Sequence, residues 1–313
     1  MQEVRLLNRV IRWTPKGILY EADPRHAEQL ARDLEKLGEK SVRVPLTSPG
    51  LKRDMESLEA AVPLGPDATH HYRALAARAN YLSLDRPDIG FAAKECCRKM
   101  AEPSTFDWAA LVRLVRYLSG RRRLVYNFPW QDPGVGLSAY VDTDFAGCAT
   151  TRKSNSGGYA YGGSHLLKHW ANTQKTIALS SGEAELAGVV KGSGEGIGLT
   201  SIAKDLGMEV GLTVLADSSA AIGICRRTGI GKVRHLAVGQ LWVQERVRSG
   251  DFGLRKHPGA QNPADILTKP VNAELINRHV VTAGLSWEAG RPSTAPLLDG
   301  FSWEPSDAAT PPA

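Results

Sequence analysis

The chain reads as an α/β protein, an α+β arrangement with one mixed sheet, preceded by a smaller, mainly helical region. Three observations predict this. Residues 137–142, 157–162 and 166–171 have strand character, and the last two are joined by a short loop, as in an antiparallel hairpin. A long helix beginning near Ser181 then leads to a short apolar run at 212–216, and helix alternates with strand from there to about residue 270. Upstream, apolar positions recur at helical spacing instead: Tyr72, Leu75, Ala79 and Leu82, then Trp108, Leu111, Val112, Val115 and Leu118.

Each element has a local reason. Residues 4–8 and 18–22 form a hairpin-like start about Pro15-Lys-Gly17. An amphipathic helix follows, with Asp23 as its cap, Pro24 at its first position and Gly38 as its stop. Pro45, Pro49, Pro63 and Pro66 break the chain into a linker, and residues 67–120 form three helices, the middle one opened by Arg86-Pro-Asp88. In the second half, helices cover 218–227 and 236–247, a strand covers 252–256, and Pro263 opens a last helix. Beyond about residue 283 the composition of Pro, Ala, Ser and Gly predicts disorder. The expected organisation is therefore residues 1–64, a helical region at 65–130, an α/β domain at 135–282 and a disordered tail at 283–313.

The 313 residues leave room for more than one core. No apolar run reaches the ~18 residues of a membrane span, and the N-terminus has no apolar stretch of a secretory signal. Cys96, Cys97, Cys148 and Cys225 form no Cys-x-x-Cys pair, which fits a reducing, intracellular location, nucleus or cytoplasm, rather than a zinc site or a disulfide framework. Most of the net charge of +6 resides between Pro66 and Phe128, where eleven Arg or Lys face six Asp or Glu. The cluster at Arg113, Arg116 and Arg121-Arg122-Arg123 points to phosphate contact, against the plainer reading of a solvated face. The glycines of residues 188–198 do not make a dinucleotide loop, because no window fits Gly-x-Gly-x-x-Gly and no strand precedes them. They predict a weakened helix packed tightly on one side.

Four acids carry the chemistry: Asp142, Glu185, Asp217 and Asp265. Two end apolar runs, and two lie beside or inside helix starts. Singly, each is compatible with a turn or with a helix dipole. Together they form the oxygen-rich set that hard divalent cations require, and two such ions catalyse in-line phosphodiester cleavage. Nearby acids compete for these roles. Ser180-x-x-Glu183 reads as a capping box in which Glu183 returns to the Ser180 amide, whereas Glu185 lies roughly 200° further round the helix and faces the sheet. Asp144 falls where the strand gives out into a turn and is at most a supporting group. The residues thus indicate a metal-dependent nuclease.

At this level the sequence resembles a known family. Tyr140-Val-Asp142, Lys153-Ser-Asn-Ser-Gly-Gly-Tyr159, Lys175-Thr-Ile-Ala-Leu-Ser-Ser-Gly-Glu-Ala-Glu185, Ala216-Asp-Ser-Ser-Ala-Ala-Ile222, Lys232-Val-Arg-His235 and Asn262-Pro-Ala-Asp-Ile-Leu-Thr-Lys-Pro270 look like the ribonuclease H domain of copia-type retrotransposon Pol polyproteins. The likeness covers residues 138–271, with the motifs in the family's order. Tyr72-Arg-Ala-Leu, Arg86-Pro-Asp-Ile-Gly-Phe-Ala and the helix at 111–120 are similar to the connection segment after the reverse transcriptase. More loosely, residues 1–62 resemble the end of its palm and thumb. The resemblance implies an RNase-H-like fold and cleavage of the RNA strand of RNA–DNA hybrids by two Mg²⁺ ions, with Mn²⁺ as a substitute. It places the catalytic and metal-binding acids at Asp142, Glu185, Asp217 and Asp265. Expected partners are the hybrid and a separate reverse-transcriptase portion, with no membrane and no small-molecule cofactor. Arg152, Lys153, Lys168 and Lys175, with Arg121, Arg122 and Arg123, are the candidate phosphate contacts. Two departures matter. The paired-aspartate Tyr/Phe-x-Asp-Asp of the polymerase is absent, so no DNA synthesis is expected. The loop before Asp265 is short, and His257, beside Pro258, reads as structural. Two other readings compete: a catalytically silent nucleic-acid-binding relic, and an integrase- or transposase-like nuclease, whose usual Asp, Asp, Glu order differs from the order here.

Overall fold

Two sheets organise the chain, each the centre of its own unit. The computed structural model describes residues 2–229, 231 and 238–299. One unit comprises residues 1–127, 270–277 and those from Leu285 on; the other comprises 128–269 and 278–284.

In the first unit, β1 (Gln2–Leu6), β2 (Arg9–Thr14) and β3 (Gly17–Glu21) form an antiparallel meander. The sequence predicts one hairpin here; there are two. Leu7 and Asn8 take φ of 49° and 66°, the left-handed pair that a tight two-residue connection needs, so the chain reverses once more than the Pro15 turn alone indicates. The α1 helix (Arg25–Lys36) follows, its start held by the Asp23 carboxylate, which accepts from the Arg25 amide at 3.0 Å, and its end by Gly38 at φ 93°. After a 3-10 turn come α2 (Met55–Glu59), α3 (Pro66–Ser83), α4 (Gly90–Cys97) and α5 (Thr105–Gly120). The last of these starts at a full capping box between Ser104 and Asp107. β4 (Arg123–Pro129) then joins the sheet, and its outer neighbour is a strand from the far end of the chain.

That strand, β10 (Leu285–Glu288), corrects the expectation of disorder beyond residue 283. It pairs antiparallel with β4, Leu285 opposite Tyr126 and Glu288 opposite Arg123. The same sheet, in the order β1-β2-β3-β4-β10, removes the expected boundary at residue 64: the meander and the helices that follow belong to one unit.

The second unit holds the mixed α/β sheet. Its strands β5 (Leu137–Asp144), β6 (Asn155–Gly162), β7 (His165–Thr173), β8 (Leu212–Ala216) and β9 (Gly253–Lys256) lie in the order β7-β6-β5-β8-β9. The first three are antiparallel, whereas β8 runs parallel to β5, and β9 parallel to β8. Its helices are α6 (Ser181–Asp205), α7 (Ser219–Arg226) and α8 (Val238–Ser249). Three antiparallel strands followed by two parallel ones reached through helices make this an RNase-H-like fold. Pro263 opens only a 3-10 turn, Pro263–Leu267, and the last helix among the described residues is α9 (Ala273–Thr282).

The long helix α6 explains its own glycines. A Cβ on Gly188 would lie 2.7 Å from Thr143 Oγ1, one on Gly192 2.3 Å from Val141 Cγ1, and one on Gly196 2.7 Å from Leu212 Cδ1. These three, spaced by four, form one face that lets the helix backbone approach β5 and β8 more closely than any side chain permits. Gly194 and Gly198 lie off that face and meet nothing within 4 Å. Leu186 and Val189 interleave with Ala139, Val141, Leu212 and Val214 in the core beneath.

Candidate active site

Four segments of the second unit deliver the acids. Asp142 lies two residues from the end of β5, which extends through Asp144 rather than stopping at 142. Asp217 follows β8 directly. Because these strands are parallel neighbours, both carboxylates emerge at the same end of the sheet. Glu185 stands in the second turn of α6, and Asp265 in the 3-10 turn.

The structure brings three of the four together. One carboxylate oxygen from each of Asp142, Glu185 and Asp217 lies within 4.8 Å of the others. Asp265 stands outside that group among the described residues, with its Oδ1 accepting from Lys269 Nζ at 2.7 Å. Glu183 turns away: its amide donates to Ser180 Oγ at 3.2 Å, and its carboxylate accepts from the Leu179 amide, not from that of Ser180 as the capping-box spacing predicts. Asp144 packs over Gly147, where no Cβ fits.

Each carboxylate is held in place. Asp142 is 6% exposed, and Oδ2 accepts from the hydroxyl of fully buried Thr268 at 2.5 Å. Asn262, also fully buried, donates to the Val141 carbonyl at 2.7 Å and so staples the 3-10 turn to β5. Glu185 accepts from the Thr143 backbone. Asp217 packs on Gly259, whose missing Cβ would sit 2.6 Å from Oδ2. His257 donates its amide to the Ala216 carbonyl and stacks edge-on against Tyr140, 5.0 Å between ring centres.

The electrostatics follow from this crowding. Burial pushes Glu185 up to about 9, aided by the charges of Asp142 and Asp217. Burial likewise pushes Asp142 up to about 6; the Thr268 hydrogen bond opposes this, and the neighbouring Asp265 and Asp217 add to it. Glu185 Oε2 is buried and has no hydrogen-bond partner. A buried acceptor left bare beside two other carboxylates is a group that a cation would satisfy. The donor set is all oxygen, which fits Mg²⁺ or Mn²⁺ and not a soft metal.

The basic candidates separate into two sets. Arg152 and Lys153 lie in the β5–β6 connection and Lys175 in the β7–α6 connection. The two connections meet where the Gln174 amide donates to the Ser154 carbonyl. Lys168 instead pairs with Glu195 of α6, which also takes Lys191. In the first unit, Arg123 is engaged by Glu21 at 2.6 Å and Glu288 at 2.8 Å, its side chain 9% exposed. The Arg121 guanidinium lies over the Trp287 ring, and Arg122 donates to the Ser119 carbonyl. Others of the basic stretch brace the unit in the same way. Arg86 pairs with buried Asp88, Arg113 donates to the Gly50 carbonyl, and Arg116 to that of Val44. The expected row of phosphate-gripping arginines is thus largely occupied by internal partners, which local charge density could not reveal. Lys232-Val-Arg-His235 lies outside the described residues.

Sequence reasoning missed Thr268, Asn262 and Lys269 as parts of the site. The signal was present in the segment 262–270, but only the fold shows that this segment crosses the end of β5.

No family model matches the chain. Among curated proteins it is 29% identical over 262 residues to a retrovirus-related Pol polyprotein from transposon RE2 of Arabidopsis thaliana, covering 82% of this chain and 17% of that protein. It is 32% identical over 189 residues to the Pol polyprotein from transposon TNT 1-94 of Nicotiana tabacum, covering 59% of this chain and 14% of that one. An uncharacterized mitochondrial protein of Arabidopsis thaliana is 30% identical over 177 residues, 56% of this chain and 69% of its own length. The chain therefore spans less than a fifth of either Pol polyprotein. Among solved structures, the N-terminal RNase H domain of Rv2228c from Mycobacterium tuberculosis aligns with 48% of this chain and 99% of its own, at 20% identity and a TM-score of 0.30. LC11-RNase H1, solved with an RNA/DNA hybrid, aligns with 42% of this chain and 93% of its own, at 13% identity and a TM-score of 0.32. The fold rests on the strand order above rather than on these scores. By its sequence relatives, this chain belongs to the family of copia-type, retrovirus-related Pol polyproteins of transposons.

Proposed function

We propose that the chain is the ribonuclease H portion of a copia-type Pol and hydrolyses the RNA strand of RNA–DNA hybrids, using divalent cations held by Asp142, Glu185 and Asp217 with Asp265 as a fourth carboxylate. The observation that carries this reading is the convergence of the first three carboxylates within 4.8 Å at the end of two parallel strands. When bound, the cations lower the pKa of an attacking water and stabilise the leaving 3′ oxygen. The chain's own residues do the rest. Thr268 and the Thr143 backbone fix the lone pairs of Asp142 and Glu185, and Gly259 leaves room for the Asp217 carboxylate. Arg152, Lys153 and Lys175 offer phosphate contacts on adjoining loops, while strand choice comes from 2′-hydroxyls in the minor groove of the hybrid. Products carry 5′-phosphate and 3′-hydroxyl ends. The remainder of Pol, an intracellular compartment and the absence of polymerase activity complete the proposal.

The test is incubation of a labelled RNA–DNA hybrid with the protein in Mg²⁺, in Mn²⁺ and in EDTA, with Asp217→Asn alongside. Cleavage only with metal, lost in the variant, is expected. Binding without cleavage in either metal would refute hydrolysis and leave the silent-relic reading. Equal cleavage by the variant would place the activity elsewhere.

A further inference from the structure

Among the described residues, Lys269 is the ammonium group that touches an acid of the site. Its Nζ sits 2.7 Å from Asp265 Oδ1, four residues back along the chain, and its side chain remains 43% exposed. The 3-10 turn that carries Asp265 is fixed on both sides, by Asn262 on the Val141 carbonyl and by Thr268 on Asp142. The ion pair is therefore not a chance meeting of two mobile surface groups: its acid is anchored against β5, and only the lysine stem is free to swing. The Lys269 charge also acts on Asp142 and Glu185. Meanwhile the three clustered carboxylates include Glu185, with a bare buried oxygen, whereas the Asp265 oxygen already has a cation partner.

The donors of the site are thus unequal. We infer that Lys269 is a positioning residue and a resident competitor for the cation at Asp265: a divalent ion takes the Asp142–Glu185–Asp217 oxygens without displacing anything, but engages Asp265 only when the ammonium leaves. This deepens the nuclease reading and rests on it. The displaced ammonium swings out on its exposed stem into solvent, or toward the phosphates of a bound strand, with no bond made or broken. Loading of Asp265 is coupled in this way to the departure of Lys269, and in the apo protein the lysine compensates the Asp265 charge beside the cluster.

The experiment is thermal unfolding of the full chain in rising MgCl₂ at constant ionic strength, with the midpoint of the Mg²⁺-dependent rise in Tm read separately for each variant. Removing a competing ammonium from a partly exposed carboxylate moves such a midpoint by about two- to fivefold. Lys269→Met is expected to respond at that much lower Mg²⁺, and Lys269→Arg, which keeps the charge, near the wild-type concentration. In an Asp265→Asn background, adding Lys269→Met should shift nothing, because the shared carboxylate is gone. An unchanged midpoint in Lys269→Met, or a shift that persists with Asp265→Asn, overturns the inference while leaving the nuclease reading intact. A wild-type protein with neither a Mg²⁺ response nor hybrid cleavage overturns both. Should Lys269→Met fail to fold, Lys269→Gln gives the same reading.

Discussion

Replacing Asp142 with asparagine should separate stability from chemistry. The carboxylate is 6% exposed, and burial raises its pKa from 3.8 to about 6. A folded value above the unfolded one means that the folded state holds the proton more tightly. Stability from this group is therefore complete below about pH 4 and is lost as pH rises through 6. By pH 7 the ionised form costs the metal-free fold about 3 kcal/mol. Asparagine keeps an oxygen to accept from Thr268 and removes the charge that Asp217 and Asp265 repel. The metal-free variant should thus gain about 1–3 kcal/mol at pH 7, on the order of 2–4 °C in Tm per kcal/mol for a unit of this size. The gain should vanish near pH 4. Hybrid cleavage should be lost, while hybrid binding is kept or strengthened. Urea unfolding in EDTA at both pH values, beside a cleavage assay, measures all of this. A variant less stable than wild type at pH 7, or a gain equal at the two pH values, would refute the electrostatic account. Cleavage at wild-type rate would refute the catalytic one.

Other consequences follow from particular contacts. Gly192→Ala places a methyl group 2.3 Å from Val141 Cγ1 and should cost about 1–3 kcal/mol by overpacking. It should also slow cleavage by lifting α6, and Glu185 with it, from β5; Gly198→Ala, with nothing within 4 Å, should instead stabilise by about 0.5–1 kcal/mol with activity unchanged. Chemical denaturation and a cleavage assay on both variants check the pair. Arg123→Ala leaves Glu21 with a 4% exposed side chain and one arginine partner fewer, and should cost about 2 kcal/mol in urea unfolding. If Arg123 served phosphate contact instead, stability would hold and the salt dependence of hybrid binding would flatten.

Local pattern was enough for much of this molecule. Period-two and period-3.6 repeats are properties of neighbouring residues, so the strands at β5 to β9, the helices α3 to α7 and the acids at the ends of β5 and β8 could be read from the chain. The choice of Glu185 over Glu183 was legible for the same reason, since a helix turns by a fixed angle per residue. What escaped was whatever depends on a partner far along the chain. Leu285–Glu288 is a strand because β4 offers it an edge, some 160 residues earlier in sequence. Composition alone made it look like tail. The basic stretch looked like a phosphate grip because charge density is local, whereas Glu21 and Glu288, which engage Arg123, lie in β3 and β10. The glycines of α6 announced a weak helix, and only the sheet beneath them shows that their missing side chains set how near Glu185 comes to Asp142. The sequence by itself determined which carboxylates the chain presents and, for Asp142, Glu185 and Asp217, on which elements. Tertiary structure decided that three converge while Lys269 holds the fourth, because side-chain distance across a sheet end is set by register and close packing, which no local repeat encodes.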